Sequence, residues 1–302
     1  MPREPVAFWK YEGTANDFVV LEGEGQNDDL DAAEVARLCD RHRGIGADGV
    51  LIVSPPTSTD SGAQARMVVR NADGSRPEMC GNGLRCVALH VATRLAEARS
   101  ISVETDAGVR ACRIDMLRSE DGEAEWFVTV DMGRIQVGET RGVPFDGREI
   151  AITAADAGNP HAVTFDRLED AELDTLGARL QKNENFPRGV NLERVTFCAG
   201  VEGNGAPKPR ARSPSEGVEV EVTVFERGVG RTLACGTGAC AVAAVLVARG
   251  EAQVGRPVTV VLPGGPLQIT LDAQGRASMR GPAKRVFAGR IALDASAWKR
   301  GE

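Results

Sequence analysis

Two of the chain's seven cysteines share a setting. Cys80 stands in "MCGNGLRCVALHVATR", which begins at Met79, and Cys235 in "ACGTGACAVAAVLVARG", which begins at Ala234. Each is followed by Gly-polar-Gly and then by an apolar helical stretch with an arginine near its end. A thiol just before a helix meets the positive end of the helix dipole and unpaired backbone N–H groups, and both favour the thiolate. The glycines allow another group to approach the backbone, and the same N–H groups can bind a carboxylate. Two such thiols on opposite sides of one carbon atom could exchange its proton. One removes it and the other delivers a proton to the opposite face, which is what a two-base racemase or epimerase requires.

Other candidates are weaker. Cys86 and Cys240 fall inside the apolar helices and read as small core residues. Cys39, Cys112 and Cys198 carry no assigned role. Cys39 and His42 could touch one metal ion, but no second ligand pair lies nearby and no Cys-x-x-Cys occurs, so no metal site is expected. "GIGADG" at Gly44 matches neither phosphate-binding pattern and reads as a turn. His161 follows Asn159-Pro160 at a strand start and by itself reads as structural. The five lysines lie in no setting that suggests a pyridoxal Schiff base, so no cofactor is expected.

The elements that position these residues form an internal repeat. Cys80 and Cys235 are 155 residues apart, and their flanks agree in order. "NDFVVLE" at Asn16 matches "NPHAVTFD" at Asn159, and "RGIGADGVLIV" at Arg43 matches "PRGVNLERVTF" at Pro187. "MVVRNADG" at Met67 matches "VTVFERGVG" at Val222, and "ETDAGVRACRID" at Glu104 matches "VLPGGPLQITLD" at Val261. The pattern predicts an α/β (α+β) chain of two pseudo-symmetric domains, each a curved, mainly antiparallel sheet wrapped around a central apolar helix. Residues 1–125 plus 284–302 would carry Cys80, and residues 126–283 would carry Cys235, with the active site in the cleft between them. Helices are expected at Ala32–His42, Gly83–Ala98, Ala171–Gln181 and Gly238–Arg249. Short strands fill two series, from Val6 to Met132 and from Ile150 to Leu293. Gly200–Gly217, rich in Gly, Pro, Ser and Arg, reads as an exposed loop. Gly238–Ala248 shows almost no polar face, and a helix apolar all round is buried all round.

Composition excludes several classes. The 302 residues hold 36 Lys+Arg against 43 Asp+Glu, a net charge of −7. That argues against nucleic acid, whose binders carry a basic excess. The longest purely apolar run, Ala239–Ala248, is too short to cross a bilayer, which takes about 20 residues. The first residues do not read as a signal peptide. An odd number of cysteines without an export signal fits reduced thiols in the cytoplasm.

Motifs along almost the whole chain resemble the diaminopimelate epimerase family: "GTANDF" at Gly13, "RHRGIGADG" at Arg41, "NADGSRPEMCGNGLRC" at Asn71, "GNPHAV" at Gly158, "RGVNLERV" at Arg188 and "FERGVGRTLACGTGACA" at Phe225. The resemblance implies a pyridoxal-independent epimerase of lysine and peptidoglycan-precursor synthesis that interconverts LL- and meso-diaminopimelate, a cytoplasmic homodimer without a cofactor. It makes Cys80 and Cys235 the two bases. Asn16, Asn71, Asn159 and Asn191 match substrate-binding asparagines, Gly81-Asn82 and Gly236-Thr237 the helix-start turns, and Glu226-Arg227 an acidic-basic pair at the substrate. His161 and Glu226 match residues that tune the cysteines. Where some members place a substrate-binding glutamine, this chain has Gly49. The Gly200–Gly217 stretch is longer than the family's usual loop. An Arg such as Arg227 suits bidentate carboxylate binding, and helix N-termini suit carbanion charge running into an α-carboxylate. Proline racemases and hydroxyproline epimerases resemble the same two-cysteine architecture but usually show Cys-Gly-His-Gly first, against CGNG here. Phenazine-biosynthesis-type isomerases share the fold without the paired cysteines. A silent binding protein and a thiol-redox protein fit the paired turns less well.

Overall fold

The structure is a computed structural model. It describes residues 5–25, 29–95, 98–118, 122, 124–197, 199–201, 207–211, 217–293 and 298–299. Cys198 and parts of the Gly200–Gly217 stretch lie outside the described residues. The chain divides into two compact units, Met1–Val130 with Gly281–Glu302, and Asp131–Arg280.

The first unit begins with β1 (Val6–Gly13), β2 (Asn16–Glu22), the two-residue β3 (Asp29–Leu30) and α1 (Ala32–Cys39). It continues through β4 (Gly49–Ser54), β5 (Ala65–Asn71), α2 (Gly81–Arg94), β6 (Ser100–Thr105), β7 (Gly108–Arg118) and β8 (Ala124–Arg134), the last of which reaches into the second unit. The second unit continues with β9 (Gln136–Phe145), β10 (Arg148–Asp156), β11 (Pro160–Thr164), α3 (Asp170–Leu180) and β12 (Asn191–Phe197). Next come β13 (Ala199–Val201), β14 (Pro207–Ala211), β15 (Val218–Glu226), β16 (Gly230–Thr232), α4 (Gly236–Ala248), β17 (Pro257–Leu262), β18 (Gly265–Leu271) and β19 (Arg276–Pro282). β20 (Lys284–Ile291) and the two-residue β21 (Trp298–Lys299) return to the first unit.

The repeat is visible in the strand pairing. In the first unit β20, β1 and β2 pair antiparallel in turn, β2 pairs β4 parallel, β4 pairs β5 antiparallel, β5 pairs β6 parallel, and β6, β7 and β8 finish antiparallel. In the second unit β9, β10, β11, β12, β15, β17, β18 and β19 run through the same succession. The register refines the motif matching. Phe18 pairs with Gly49 where His161 pairs with Asn191, so Gly49 is equivalent to Asn191, two residues away from where the matched motifs had aligned them.

Each unit wraps its strands around one helix. α2 packs against β1, β2, β4, β5, β6, β7 and β20, and α4 against β9, β10, β11, β12, β17 and β18. Every residue from Gly81 to Ala92 is buried, as is nearly every one from Gly236 to Leu246. The second helix of each unit covers the outer face. Val35 and Leu38 of α1 join Val19, Leu21, Val50 and Ile52 in one cluster, and Leu173, Leu176 and Leu180 of α3 join Ile150, Ile152, Ala162 and Leu192 in another. β4, buried on both faces, is therefore a continuous apolar run.

Differences from expectation have local causes. Both central helices start two residues earlier than expected, because each cysteine itself acts as N-cap. α2 stops at Arg94 rather than Ala98, where the Leu95 N–H turns back to the Val91 and Ala92 carbonyls. Within the expected loop Gly200–Gly217, β13 and β14 form a short antiparallel pair. Pro207 and Pro209 have no N–H to donate, so they read as loop residues even where a short peripheral strand forms.

Candidate active site

In the first unit, β1 and β2 join through a tight turn whose central residues, Thr14 and Ala15, have φ of 62° and 55°. Such a turn favours Asn and Gly, so two side-chain-bearing residues there store strain of the kind found at functional sites. Arg85, fully buried on α2, holds the turn. Its Nη2 donates to Thr14 Oγ1 at 2.6 Å, its Nε to the Pro282 carbonyl at 3.1 Å, and its Nη1 to Asn82 Oδ1 at 2.9 Å. Asn82 Nδ2 in turn donates to Asn16 Oδ1 at 3.3 Å, and Asn16 Nδ2 to Asp48 Oδ2 at 2.7 Å. The Gly83 N–H donates to Cys80 Sγ at 3.4 Å. Asn71 ends β5 beside Gly49 of β4, exposed, with its amide donating to Ser75 Oγ at 2.9 Å. Cys80, Gly81, Asn82, Asn16 and Asn71 thus gather at one end of this unit's strands and helix. Arg85, Asp48 and Arg41, which bridges Asp17 and Asp48, were not anticipated from the sequence.

The second unit repeats the arrangement with different chemistry. The Gly238 N–H donates to Cys235 Sγ at 3.3 Å, and Thr237 Oγ1 lies 3.5 Å from the same sulfur. His161 is fully buried, with Nδ1 2.7 Å from Glu193 Oε1 and Nε2 2.9 Å from Asn159 Oδ1. Asn191 Oδ1 accepts from the Arg227 N–H at 2.9 Å, and Arg227 Nη1 donates to the Arg188 carbonyl at 2.8 Å. Thr232 Oγ1 donates to Glu226 Oε1 at 2.5 Å. Asn159, His161, Asn191, Glu226, Arg227, Cys235, Gly236 and Thr237 therefore share one end of the unit.

The electrostatics reverse one expectation. Burial raises the Cys235 thiol well above its ordinary range, and the Glu226 and Glu193 carboxylates add to the rise. The Thr237 hydroxyl and the Gly238 N–H pull the other way without prevailing. Cys235 is held as a thiol here, although its helix N-terminus favours a thiolate. Burial, with the Glu193 charge, also raises the Glu226 carboxyl. Cys86 is fully buried, and desolvation pushes its thiol up to about 12.

Glu193 was missed as well. "NLERV" reads as an ordinary strand with a polar residue facing water. The repeat carried a usable signal: once Gly49 is set against Asn191, Glu193 falls opposite Leu51, a core position.

A family model described as diaminopimelate epimerase matches residues 8–137 and 153–286. The diaminopimelate epimerase of Desulforudis audaxviator is 40% identical, the match covering 94% of this chain and 98% of that protein. That of Teredinibacter turnerae is 39% identical over 95% and 99%. A hydroxyproline epimerase from Agrobacterium vitis superposes with a TM-score of 0.68 at 17% identity, over 97% of this chain and 94% of the other. A Bacillus anthracis phenazine biosynthesis protein gives 0.64 at 14%, over 96% and 100%. At such identities these two structures speak for the fold alone. Full-length relatives near 40% identity and the matching family model speak for more: the chain belongs to the diaminopimelate epimerase family.

Proposed function

We propose that the chain interconverts LL- and meso-2,6-diaminopimelate without a cofactor, by proton transfer between Cys80 and Cys235 at one α-carbon. The observation that carries the reading is the repeated cysteine cap: one sulfur at the N-terminus of each central helix, each accepting the N–H three residues on. The thiolate of one cysteine takes the α-proton and becomes a thiol. The electron pair left on carbon spreads into the α-carboxylate, which the N–H groups of Gly81, Asn82, Gly236 and Thr237 stabilise. The opposite thiol gives its proton to the other face and becomes the thiolate, so one turnover exchanges the protonation of the pair. Asn16, Asn71, Asn82, Asn159 and Asn191 bind the two amino-acid ends of the substrate, and Arg227 with Glu226 binds a carboxylate and an ammonium. The protein works in the cytoplasm as a homodimer.

Cys80→Ala and Cys235→Ala should each lower the rate at least about 1,000-fold, in line with loss of a general acid or base, while the protein stays folded. The measurement is the diaminopimelate isomer ratio by chiral chromatography, with proline and 4-hydroxyproline as comparison substrates. Near-parental activity in either variant sinks the two-base assignment. Turnover of a proline substrate in place of diaminopimelate redirects the reading to that class.

A further inference from the structure

The two units differ at one pair of buried positions. Phe18 and Leu51 in the first unit are apolar and buried, 3% and 0% exposed. Their equivalents are His161 and Glu193, both 0% exposed. The equivalence rests on register, since Phe18 pairs with Gly49 and His161 with Asn191, and on the helix above. A Cβ built on Gly83 would lie 2.8 Å from Leu51 Cδ2, and one built on Gly238 would lie 2.6 Å from Glu193 Oε1. Leucine and glutamate thus occupy the same place beneath the first turn of each central helix.

The first unit shows that this fold forms with two hydrocarbons there. Exchanging them for an acid and an imidazole exacts a desolvation cost that well-packed apolar residues avoid. The glutamate is also incompletely satisfied. Oε1 meets His161 Nδ1 at 2.7 Å, while Oε2 is buried with no hydrogen-bond partner among the described residues. Retaining an unsatisfied carboxylate at a site where leucine serves the fold points to a task other than stability.

We infer that Glu193 is a positioning residue of the second half-site: it anchors His161 through Nδ1 and fixes a negative charge beneath the N-terminus of α4, beside the Cys235 sulfur. Glu193 Oε1 at Nδ1 and Asn159 Oδ1 at Nε2 hold the ring from both sides and fix its orientation. The same Cβ position on Gly238 that meets Glu193 lies 3.2 Å from Cys235 Sγ, so carboxylate and sulfur crowd the same side of Gly238. There the charge opposes the helix dipole, which would otherwise draw the sulfur towards thiolate. Glu226 on β15 is the second carboxylate acting on this sulfur, His161 on β11 stands against Glu193, and the Thr237 hydroxyl lies on α4 itself. β17 and β18, also packed against α4, bring buried Val260, Leu267 and Ile269. The raised Cys235 thiol fits two carboxylates acting together. Glu193 thereby sets how readily Cys235 gives up and takes back its proton, a role that rests on the two-cysteine reading above.

The test uses the full chain carrying Glu193→Gln. The pH dependence of Cys235 alkylation by iodoacetamide, followed by peptide mass spectrometry, should move about one pH unit towards acid. With diaminopimelate, kcat should fall about 10- to 100-fold with KM within about threefold, since a positioning residue acts on chemistry more than on binding. The chain has three histidines, so the His161 ring nitrogen resonances can be followed separately and should shift. An alkylation profile that coincides with the parent's, or unchanged His161 resonances, would overturn the proposal. If Glu193→Gln does not fold, the double variant H161F/E193L copies the first unit's own pair. It should fold, with the same acid shift of Cys235 and with epimerisation lost. An unfolded double variant makes the pair structural and refutes the assignment. Should the parent fail to turn over diaminopimelate, the function falls, while the alkylation profile still decides the role of Glu193.

Discussion

Asp17 illustrates how single residues hold the turn that carries Asn16. Its carboxyl would rise through burial, but hydrogen bonds from Arg41 and Lys10 outweigh that and hold it at about 2, below the ordinary 3.8. The folded protein therefore binds this proton more weakly than the unfolded chain does. The contribution is fully present above pH 3.8 and is lost as pH falls towards 2. Asp17→Asn should cost on the order of 1–2 kcal/mol at neutral pH, and its stability should fall less steeply than the parent's between pH 5 and pH 2. Urea unfolding across that range checks this, and parallel curves would show that the pairing adds nothing. Among the site residues, the paired cysteines were legible because a repeated Gly-rich turn before an apolar helix has few other uses. Glu193 and Arg85 were not legible, since one charged residue in a strand or helix reads as solvent-facing until the packing around it is known.

At the scale of elements, the two central helices test how tightly each half-site is built. Alanine ordinarily favours a helix over glycine by about 1 kcal/mol. At Gly238 the added methyl would press on Glu193 Oε1 and Cys235 Sγ, and at Gly83 on the end of Leu51. Moving the carboxylate breaks its bond to His161, whereas a leucine methyl can rotate. Gly238→Ala should therefore lower Tm by about 4 °C or more, on a scale of about 2–4 °C per kcal/mol for larger domains, and cut activity at least tenfold. Gly83→Ala should do less on both counts. Calorimetry and the isomer assay on the two variants decide it, and equal effects would mean that the carboxylate is as yielding as the leucine. The central helices and the buried strands were readable from apolar runs alone. β9 was not, because Gln136–Gly142 is exposed throughout and shows no alternation. β19 carries a weak signal of its own, because its inward positions, Ala277, Met279 and Gly281, are interleaved with Arg and Ser and end at a proline.

For the whole molecule, the proposed function requires one sulfur from each unit to reach the same carbon atom. Thiols that meet over so small a distance can also join, provided their Cα atoms approach to about 4.4–6.8 Å. Air should then inactivate the enzyme, dithiothreitol should restore it, and bound substrate should protect it. Non-reducing peptide mapping should find the Cys80 and Cys235 peptides linked. Full activity under oxidant with no linked peptide would confine the close approach to the substrate-bound state. The pairing of β20 with β1, in which Ala288 lies opposite Trp9, has a further consequence for the chain as it leaves the ribosome. The second unit is one uninterrupted stretch, and all its strands have emerged before β20 is made. The first unit must wait, with β1 an open sheet edge of the kind that invites aggregation, until β20 is translated. The half of the protein that is synthesised first is thus the half that finishes folding last.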